Sequence, residues 1–159
     1  MSVEKAKNHL ERVGLGDRLV LHETESDTVE HAAEVLGCEP AHIAKTMSFL
    51  TGEGPIVIVC AGDTKIQNAK YKAQFGQKAK MIPFEEVESV IGHEPGGVCP
   101  FGVSSDVRVF LDDSLKRFST VYAAGGARNA TVRLSPAELQ TAVGNADWID
   151  VCEIKAPAI

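Results

Sequence analysis

The sequence has no apolar run that approaches the roughly 20 residues a membrane-spanning helix needs. It has no CxxC pair and no Cys/His spacing typical of zinc sites, because its cysteines stand far apart at 38, 60, 99 and 152. It also has no GxGxxG segment after a predicted strand and no Walker lysine. These absences argue against a membrane span, a structural zinc site and the common nucleotide-binding folds.

The composition is that of an ordinary globular protein. The 159 residues are 44% hydrophobic and 24% charged, which predicts one domain over residues 1–159. Charged residues at the N-terminus stand where a signal peptide would continue into an apolar core, so we expect a cytoplasmic protein. The formal net charge of −6 argues against a broad, non-specific nucleic-acid surface.

One stretch departs from this acidic balance. Five lysines fall within sixteen residues with no acid between them and with two aromatic residues interleaved, namely Lys65, Lys70, Lys72, Lys78 and Lys80 with Tyr71 and Phe75. The stretch is either the solvated face of a helix and its exit loop or an edge that contacts phosphates. Without another indication of a polyanion, the solvated face is the simpler interpretation.

Hydrophobic periodicity and turn residues predict an α+β protein with a mixed, mainly antiparallel sheet flanked by helices. Ser26, Asp27 and Thr28 are candidate N-caps for the second helix, and Ser135 with Glu138 forms a capping box for the last. Strands 45–50 and 56–61 are expected to pair as a hairpin. The predicted helices are 3–13, 29–36, one ending near Gly76, 83–91 and 136–143, and the predicted strands are 19–22, 45–50, 56–61, 81–82, 107–111, 120–123, 130–134 and 148–154 before a Pro-containing tail.

The segment from Gly92 to Gly102 holds four glycines and two prolines in eleven residues, so it is a shaped loop. Its backbone N–H groups are either a cradle for a carbonyl oxygen or an oxyanion, or part of a rigid turn between two elements. Cys99 lies inside this loop, where neighbouring N–H groups would lower the pKa of a thiol. A nucleophilic Cys99 therefore stays open as an alternative, although the sequence does not identify a partner for it.

Lys45 stands at the junction between a predicted turn and an apolar strand. A lysine in this position either holds a carboxylate, phosphate or carbonyl oxygen as a point charge, or protects a strand edge from unwanted pairing. Position alone leaves both interpretations open.

These motifs occur in an order that resembles the YbaK and prolyl-tRNA-synthetase-associated editing domain family. The resemblance rests on the Ile43-Ala44-Lys45-Thr46 strand opening, a strand that ends Cys60-Ala61-Gly62-Asp63, the loop Gly96-Gly97-Val98-Cys99-Pro100-Phe101-Gly102 and the late turn Ala124-Gly125-Gly126. It extends from about Glu25 to Val143 and implies a barrel-like mixed sheet flanked by helices. The implied activity is that of a free-standing deacylase that hydrolyses the ester of a mischarged tRNA, typically tRNA(Pro) carrying alanine or cysteine.

The resemblance also implies roles for individual residues. The family lysine corresponds to Lys45, and the family loop corresponds to the catalytic candidates Gly96, Gly97, Val98, Cys99 and Pro100. Backbone N–H groups of this loop would hold the ester carbonyl while Lys45 anchors the terminal adenosine or its phosphate and water attacks. The substrate-binding candidates next to these motifs are Thr46, Phe101, Gly102, Gly125, Gly126, Asn129 and Thr131.

The family resemblance implies no metal and no other cofactor. The implied partners are the acceptor end of an aminoacyl-tRNA and prolyl-tRNA synthetase, with no membrane and with a monomer or weak homodimer. Two departures from the family stand out. The segment after Gly126 lacks the acid or histidine of some branches, which puts the amino-acid specificity in doubt. Val98-Cys99 stands where many relatives have serine or threonine before the proline, so Cys99 would alter the pocket without being catalytic. The alternatives are a non-catalytic module that binds tRNA or an aminoacyl nucleotide, and a hydrolase that uses Cys99 as its nucleophile.

Overall fold

A computed structural model describes residues 2–26 and 28–155 of the chain. The helices are α1 (Ser2–Arg12), α2 (Val29–Leu36), α3 (Asn68–Phe75), α4 (Val87–Ile91) and α5 (Pro136–Ala142). The strands are β1 (Leu19–Leu21), β2 (Ile43–Thr51), β3 (Gly54–Ala61), β4 (Thr64–Ile66), β5 (Arg108–Asp112), β6 (Val121–Ala124), β7 (Ala130–Leu134), β8 (Asp147–Ile149) and β9 (Cys152–Ile154). The predicted Asp27 cap and the Pro-containing tail lie outside the described residues.

A seven-stranded sheet in the order β1-β7-β6-β2-β3-β5-β8 forms the centre of the protein. The predicted β2–β3 hairpin is present and antiparallel, with Lys45 opposite Cys60 and Leu50 opposite Pro55. The pairs β2–β6, β3–β5 and β5–β8 are parallel, while β1–β7 and β6–β7 are antiparallel. The antiparallel pairs contain most of the paired residues, so the predicted mixed, mainly antiparallel sheet flanked by helices is confirmed.

Both faces of this sheet are covered, which explains why β3 is a continuous apolar run. Residues 56–61 of β3 are all at most 2% exposed. Ala44 and Val59 pack on one face with α1 and α5 in a cluster that includes Leu10 and Leu139. On the opposite face, the aromatic rings of Phe49 and Tyr71 lie 5.3 Å apart and anchor α3.

The caps agree with the sequence where the described residues include them. Thr28 accepts a hydrogen bond from the His31 amide at the start of α2. The capping box of α5 is present, with the Ser135 and Glu138 side chains each accepting from the other's amide at 3.0 and 2.9 Å. These short polar signals fix helix starts because they satisfy amides that have no partner inside the helix.

Three predicted elements near chain reversals differ from the structure. Residues 81–82 form no strand but only an isolated bridge between Phe49 and Met81. The helix expected from Pro83 is a 3-10 turn, Phe84–Glu86, followed by the short α4. The expected strand 148–154 is two strands in two sheets, because the Val151 amide donates to the Asp112 carboxylate at 2.9 Å and breaks the run. The unpredicted β4 pairs with β9 outside the main sheet.

A gap opens in the sheet on the β6 side of β2. The pairing of β2 with β6 is limited to Ile43 and Ala44. Further along the same edge, the Ile82 amide donates to the Ser48 carbonyl at 3.2 Å and the Leu50 amide donates to the Lys80 carbonyl at 2.8 Å. Residues 45–47 lie between these two paired stretches. Because backbone groups alternate along a strand, Thr46 directs its N–H and C=O to this gap.

Candidate active site

The gap beside β2 opens into a cavity of about 380 Å³. One wall is β2 itself, with Lys45, Thr46 and Ser48. The facing wall is formed by the glycine loop, through Gly96 and Val98. The remaining lining residues come from the segment around α2, from the turn before α4 and from β6 to β7, and they include Ser26, Thr28, Val29, Ala32, Phe84, Val87, Tyr122, Ala127, Arg128 and Thr131.

The glycine loop packs directly against the turn between β6 and β7. A Cβ atom on Gly97 would lie 2.5 Å from the Gly126 carbonyl oxygen, so only glycine permits this approach. Gly96 has φ +91°, a left-handed conformation that favours glycine. The structure therefore brings the two predicted glycine motifs into contact, although they are separated by almost thirty residues in the sequence.

The amides of the loop differ in their availability. The Gly97 amide donates to the Glu94 carbonyl at 3.0 Å and the Gly102 amide donates to His9 Nδ1 at 2.9 Å. Across residues 2–26 and 28–155, no hydrogen bond engages the amide of Gly96 or of Val98. Both of these residues line the cavity, so their N–H groups are the donors that the loop leaves for a bound carbonyl oxygen.

The Cys99 thiol points into the protein core. Its side chain is 0% exposed, and burial raises its pKa to about 12. Its sulfur lies 3.5 Å from His93 Nε2 and 3.5 Å from the Phe101 carbonyl oxygen. His93 is itself fully buried, and burial lowers the pKa of its imidazole. The His93 neighbour that a nucleophile would need is present, but the thiol is neither accessible nor readily ionised.

Lys45 lines the cavity, and its ammonium donates to the carbonyl oxygen of Thr64. Burial lowers the pKa of this lysine, while the nearby carboxylate of Asp63 acts in the opposite direction. One of the three ammonium donors is used by Thr64, which leaves two for other acceptors. Lys45, Gly96 and Val98 line the same cavity, whereas Gly97 and the ammonium's partner Thr64 do not.

Thr46 of β2 carries a buried hydroxyl without a hydrogen-bond partner among the described residues. An unpaired buried hydroxyl is costly, and such groups occur where a ligand or water completes the hydrogen bonding. The Thr46 backbone faces the gap, and its buried hydroxyl lies on a residue that lines the cavity.

Arg128 closes the cavity on the side of the glycine loop. A Cβ atom on Gly96 would lie 2.3 Å from Arg128 Nε, so the side chain lies directly against this glycine. The Arg128 carbonyl accepts hydrogen bonds from the amide and the hydroxyl of Ser26 at 2.9 and 3.2 Å. Its exposed guanidinium makes no ion pair with the residues in the described ranges.

The remaining predicted site residues support the cavity from behind or lie beside it. Thr131 lines it, but Gly97, Cys99, Pro100, Phe101, Gly102, Gly125, Gly126 and Asn129 do not. Asn129 instead donates from its side chain to the His22 carbonyl at 3.1 Å. Ser48, Phe84, Tyr122 and the α2 residues were not predicted. These residues belong to no recognisable sequence motif, and they lie together only because they surround the gap in the sheet.

Comparisons with known proteins connect this cavity with a family. A model of the aminoacyl-tRNA editing domain matches residues 23–142. The chain is 46% identical over 155 residues to the uncharacterised protein YwhH of Bacillus subtilis (strain 168), covering 96% of this chain and 98% of that protein. It is 28% identical over 111 residues to EbsC of Enterococcus faecalis (strain ATCC 700802 / V583), described as a proposed Cys-tRNA(Pro)/Cys-tRNA(Cys) deacylase, covering 69% of this chain and 68% of EbsC.

A solved structure agrees with these sequence matches. A proposed trans-editing enzyme for prolyl-tRNA synthetase superposes with a TM-score of 0.86 at 29% identity, covering 96% of this chain and 97% of that one. The matched residues 23–142 include the β2 wall, the glycine loop and the turn that carries Arg128. On the strength of this match, which extends over most of the chain, the protein belongs to the aminoacyl-tRNA editing domain family.

Proposed function

We propose that the cavity beside β2 is the site at which this member of the editing family deacylates aminoacyl-tRNA. The observation that carries the proposal is the convergence of unpaired polar groups on one cavity. Gly96 and Val98, whose amides have no partner among the described residues, line one wall, and Lys45 and Thr46 line the other. Donors fixed by a rigid loop are suited to hold a carbonyl oxygen that becomes negative during ester hydrolysis.

The proposed reaction needs a bound ester and a positioned water. Water adds to the ester carbonyl carbon, and the amides of Gly96 and Val98 stabilise the oxyanion of the tetrahedral intermediate. The bond to the ribose oxygen then breaks, the ribose oxygen takes a proton, and the free amino acid leaves. An aminoacyl ester is already activated, so positioning and oxyanion stabilisation suffice, with a neighbouring ribose hydroxyl to help move the proton.

Lys45 is proposed to bind the substrate rather than to attack it. Its ammonium keeps two donors after the bond to Thr64, and the residue lines the cavity next to Thr46, whose N–H and C=O face the gap. From there it supplies a positive charge to the terminal adenosine or its phosphate. The Thr46 hydroxyl provides a further hydrogen bond to the aminoacyl group.

The cavity walls favour a small amino acid. Many of the lining side chains are short, among them Ala32, Ala44, Ala123, Ala127 and Ala130. A chamber of this kind excludes large side chains by size, whereas it separates amino acids one methylene apart by only about 1 to 3 kcal/mol. We propose tRNA(Pro) carrying alanine or cysteine as the substrate; the similarity to EbsC supports cysteine, and the similarity to the trans-editing enzyme supports a tRNA charged by prolyl-tRNA synthetase.

The partners proposed for this activity follow from its substrate. The acceptor end of the tRNA enters the cavity, and prolyl-tRNA synthetase is the proposed protein partner, as in the description of the structural relative. A substrate of translation implies a cytoplasmic location. Among the described residues, no helix is long and apolar enough to cross a membrane.

Incubation with a panel of mischarged tRNAs tests the proposal. We expect alanyl- or cysteinyl-tRNA(Pro) to lose its amino acid much faster than in buffer, and Lys45→Ala to slow this loss by at least tenfold. Lys65→Ala is the matched control, because Lys65 is exposed in β4 and pairs with Glu153 away from the cavity. If neither alanyl-, cysteinyl- nor seryl-tRNA is deacylated faster than in buffer, the proposed function is wrong.

A further inference from the structure

Phe84 stands at the mouth of the cavity with its ring largely in solvent. It is 70% exposed, the largest exposed fraction among the big hydrophobic side chains of the described chain, and it also lines the cavity. An exposed aromatic ring at the entrance of a binding site is a typical contact surface rather than a packing residue.

The backbone holds Phe84 in a defined position despite its exposure. Pro83 precedes it, and the Glu86 amide donates to the Pro83 carbonyl at 2.9 Å in a 3-10 turn. The bond from the Ile82 amide to the Ser48 carbonyl ties this segment to the edge of β2. The ring is therefore presented beside the gap at low cost in conformational entropy.

Arg128 provides the positive charge at the same mouth. Its guanidinium is exposed, lies against Gly96 and makes no ion pair with residues 2–26 or 28–155. In contrast, Glu85, Glu86 and Glu88 follow Phe84 and are exposed. These carboxylates repel phosphate groups from the flank of α4, whereas the Arg128 guanidinium attracts them.

We propose that Phe84 and Arg128 together grip the unpaired 3′ end of the tRNA, with the base of the terminal nucleotide stacked on Phe84 and a phosphate bound by Arg128. This inference rests on the proposed function and assigns it a nucleotide subsite. An aromatic platform combined with a cation is the usual arrangement for binding single-stranded nucleic acid, because stacking is tolerant of sequence and the charge follows the backbone. It also reconciles RNA binding with a net charge of −6, since the contact is confined to one mouth.

Binding of a short single-stranded RNA that ends in adenosine tests the proposed contacts with Phe84 and Arg128 without any need for turnover. The second ligand is the same RNA with an abasic 3′ residue. We expect Phe84→Ala to weaken binding of the intact RNA roughly tenfold and to leave the abasic RNA unaffected, while Phe84→Trp preserves binding. Arg128→Gln is expected to weaken both RNAs and to reduce the slope of log affinity against log salt by about 0.7.

Met81→Ala is the matched control, because Met81 is 58% exposed on the same segment but does not line the cavity. It is expected to bind both RNAs as the wild type does. If Phe84→Ala affects both RNAs equally or neither, the stacking assignment is wrong even though the protein deacylates tRNA. If the wild type deacylates no mischarged tRNA and binds neither RNA, both the proposed nucleotide subsite and the proposed function are wrong.

Discussion

At the scale of single residues, the sequence predicted which residues belong to the candidate site more readily than where their side chains lie. Lys45 and the glycine loop are recognisable from residue type and order, and they do meet at one cavity. Cys99 illustrates the limit, because a thiol in a glycine-rich loop suggests reactivity while its complete burial removes it from the cavity. The unpaired state of the Thr46 hydroxyl could not have been predicted, since it depends on which distant segments pack against β2.

Thr46→Val tests whether the unpaired hydroxyl serves the substrate. Valine keeps the shape of threonine and removes a buried group that has no partner, so we expect the free energy of unfolding to be unchanged or slightly higher. Deacylation should fall by about tenfold, because a hydrogen bond to the aminoacyl group is lost. Thr141→Val, at an exposed position of α5, is the control and should alter neither quantity. Unchanged deacylation in Thr46→Val would remove this residue from the site.

Cys99→Ser distinguishes a structural thiol from a nucleophile. Because the Cys99 side chain is fully buried with a pKa of about 12, we expect most of the deacylation rate to survive at temperatures where the variant is folded. The buried hydroxyl should lower the free energy of unfolding by about 1 to 3 kcal/mol. Thermal unfolding and deacylation are measured on the same preparation. Loss of activity in a fully folded variant would support the cysteine mechanism instead.

At the scale of elements, capping residues and hydrophobic periodicity predicted the helices and strands that depend on neighbouring residues. They missed the features that depend on contacts between distant residues. The α5 capping box and the β2–β3 hairpin depend on sequence neighbours, and both are present. The split of residues 148–154 into β8 and β9 depends on the carboxylate of Asp112, which is far away in the sequence. The same holds for the contact between the glycine loop and the β6–β7 turn, which shapes the cavity wall.

Gly97→Ala tests that contact. The added Cβ would lie 2.5 Å from the Gly126 carbonyl oxygen, so the loop must move away from the turn. We expect a loss of about 1 to 3 kcal/mol in the free energy of unfolding, and a fall in deacylation that persists at temperatures where the variant is folded. Gly52→Ala is the control, since the nearest atom to its Cβ would be the Gln77 side chain at 3.9 Å. Full activity in folded Gly97→Ala would mean that the loop geometry does not limit the reaction.

At the scale of the whole molecule, the fold is a mixed sheet in which the pairing between β2 and β6 is interrupted. The cavity lies at this interruption. The sequence predicted the sheet class because apolar periodicity reports burial on each strand. It could not predict the interruption, since that depends on how far β6 follows β2 and on where residues 80–82 return to the edge. Ion pairs also link segments that are distant in the sequence. Arg117 Nη2, for example, lies 2.6 Å from Asp63 Oδ1.

Low pH should weaken the stabilising contribution of the ion pair between Arg117 and Asp63. Hydrogen bonding to Arg117 lowers the pKa of Asp63 below its ordinary 3.8 in the folded protein. A depressed carboxyl pKa stabilises the fold above the ordinary value, and this contribution disappears as the pH falls through the folded-state pKa. We expect Asp63→Asn to be less stable than the wild type at pH 7, and the difference to shrink below about pH 4. Denaturant unfolding at both pH values measures it, and a difference that is the same at both would contradict the assignment.

The most direct test of the central claim is a crystal structure with a non-hydrolysable analogue of aminoacyl-adenosine, in which an amide replaces the ester. The account predicts that the analogue occupies the gap beside β2, with its carbonyl oxygen within hydrogen-bond distance of the Gly96 or Val98 amide and its adenine against Phe84. An analogue bound elsewhere, or bound in the cavity with its carbonyl turned away from the loop, would contradict it.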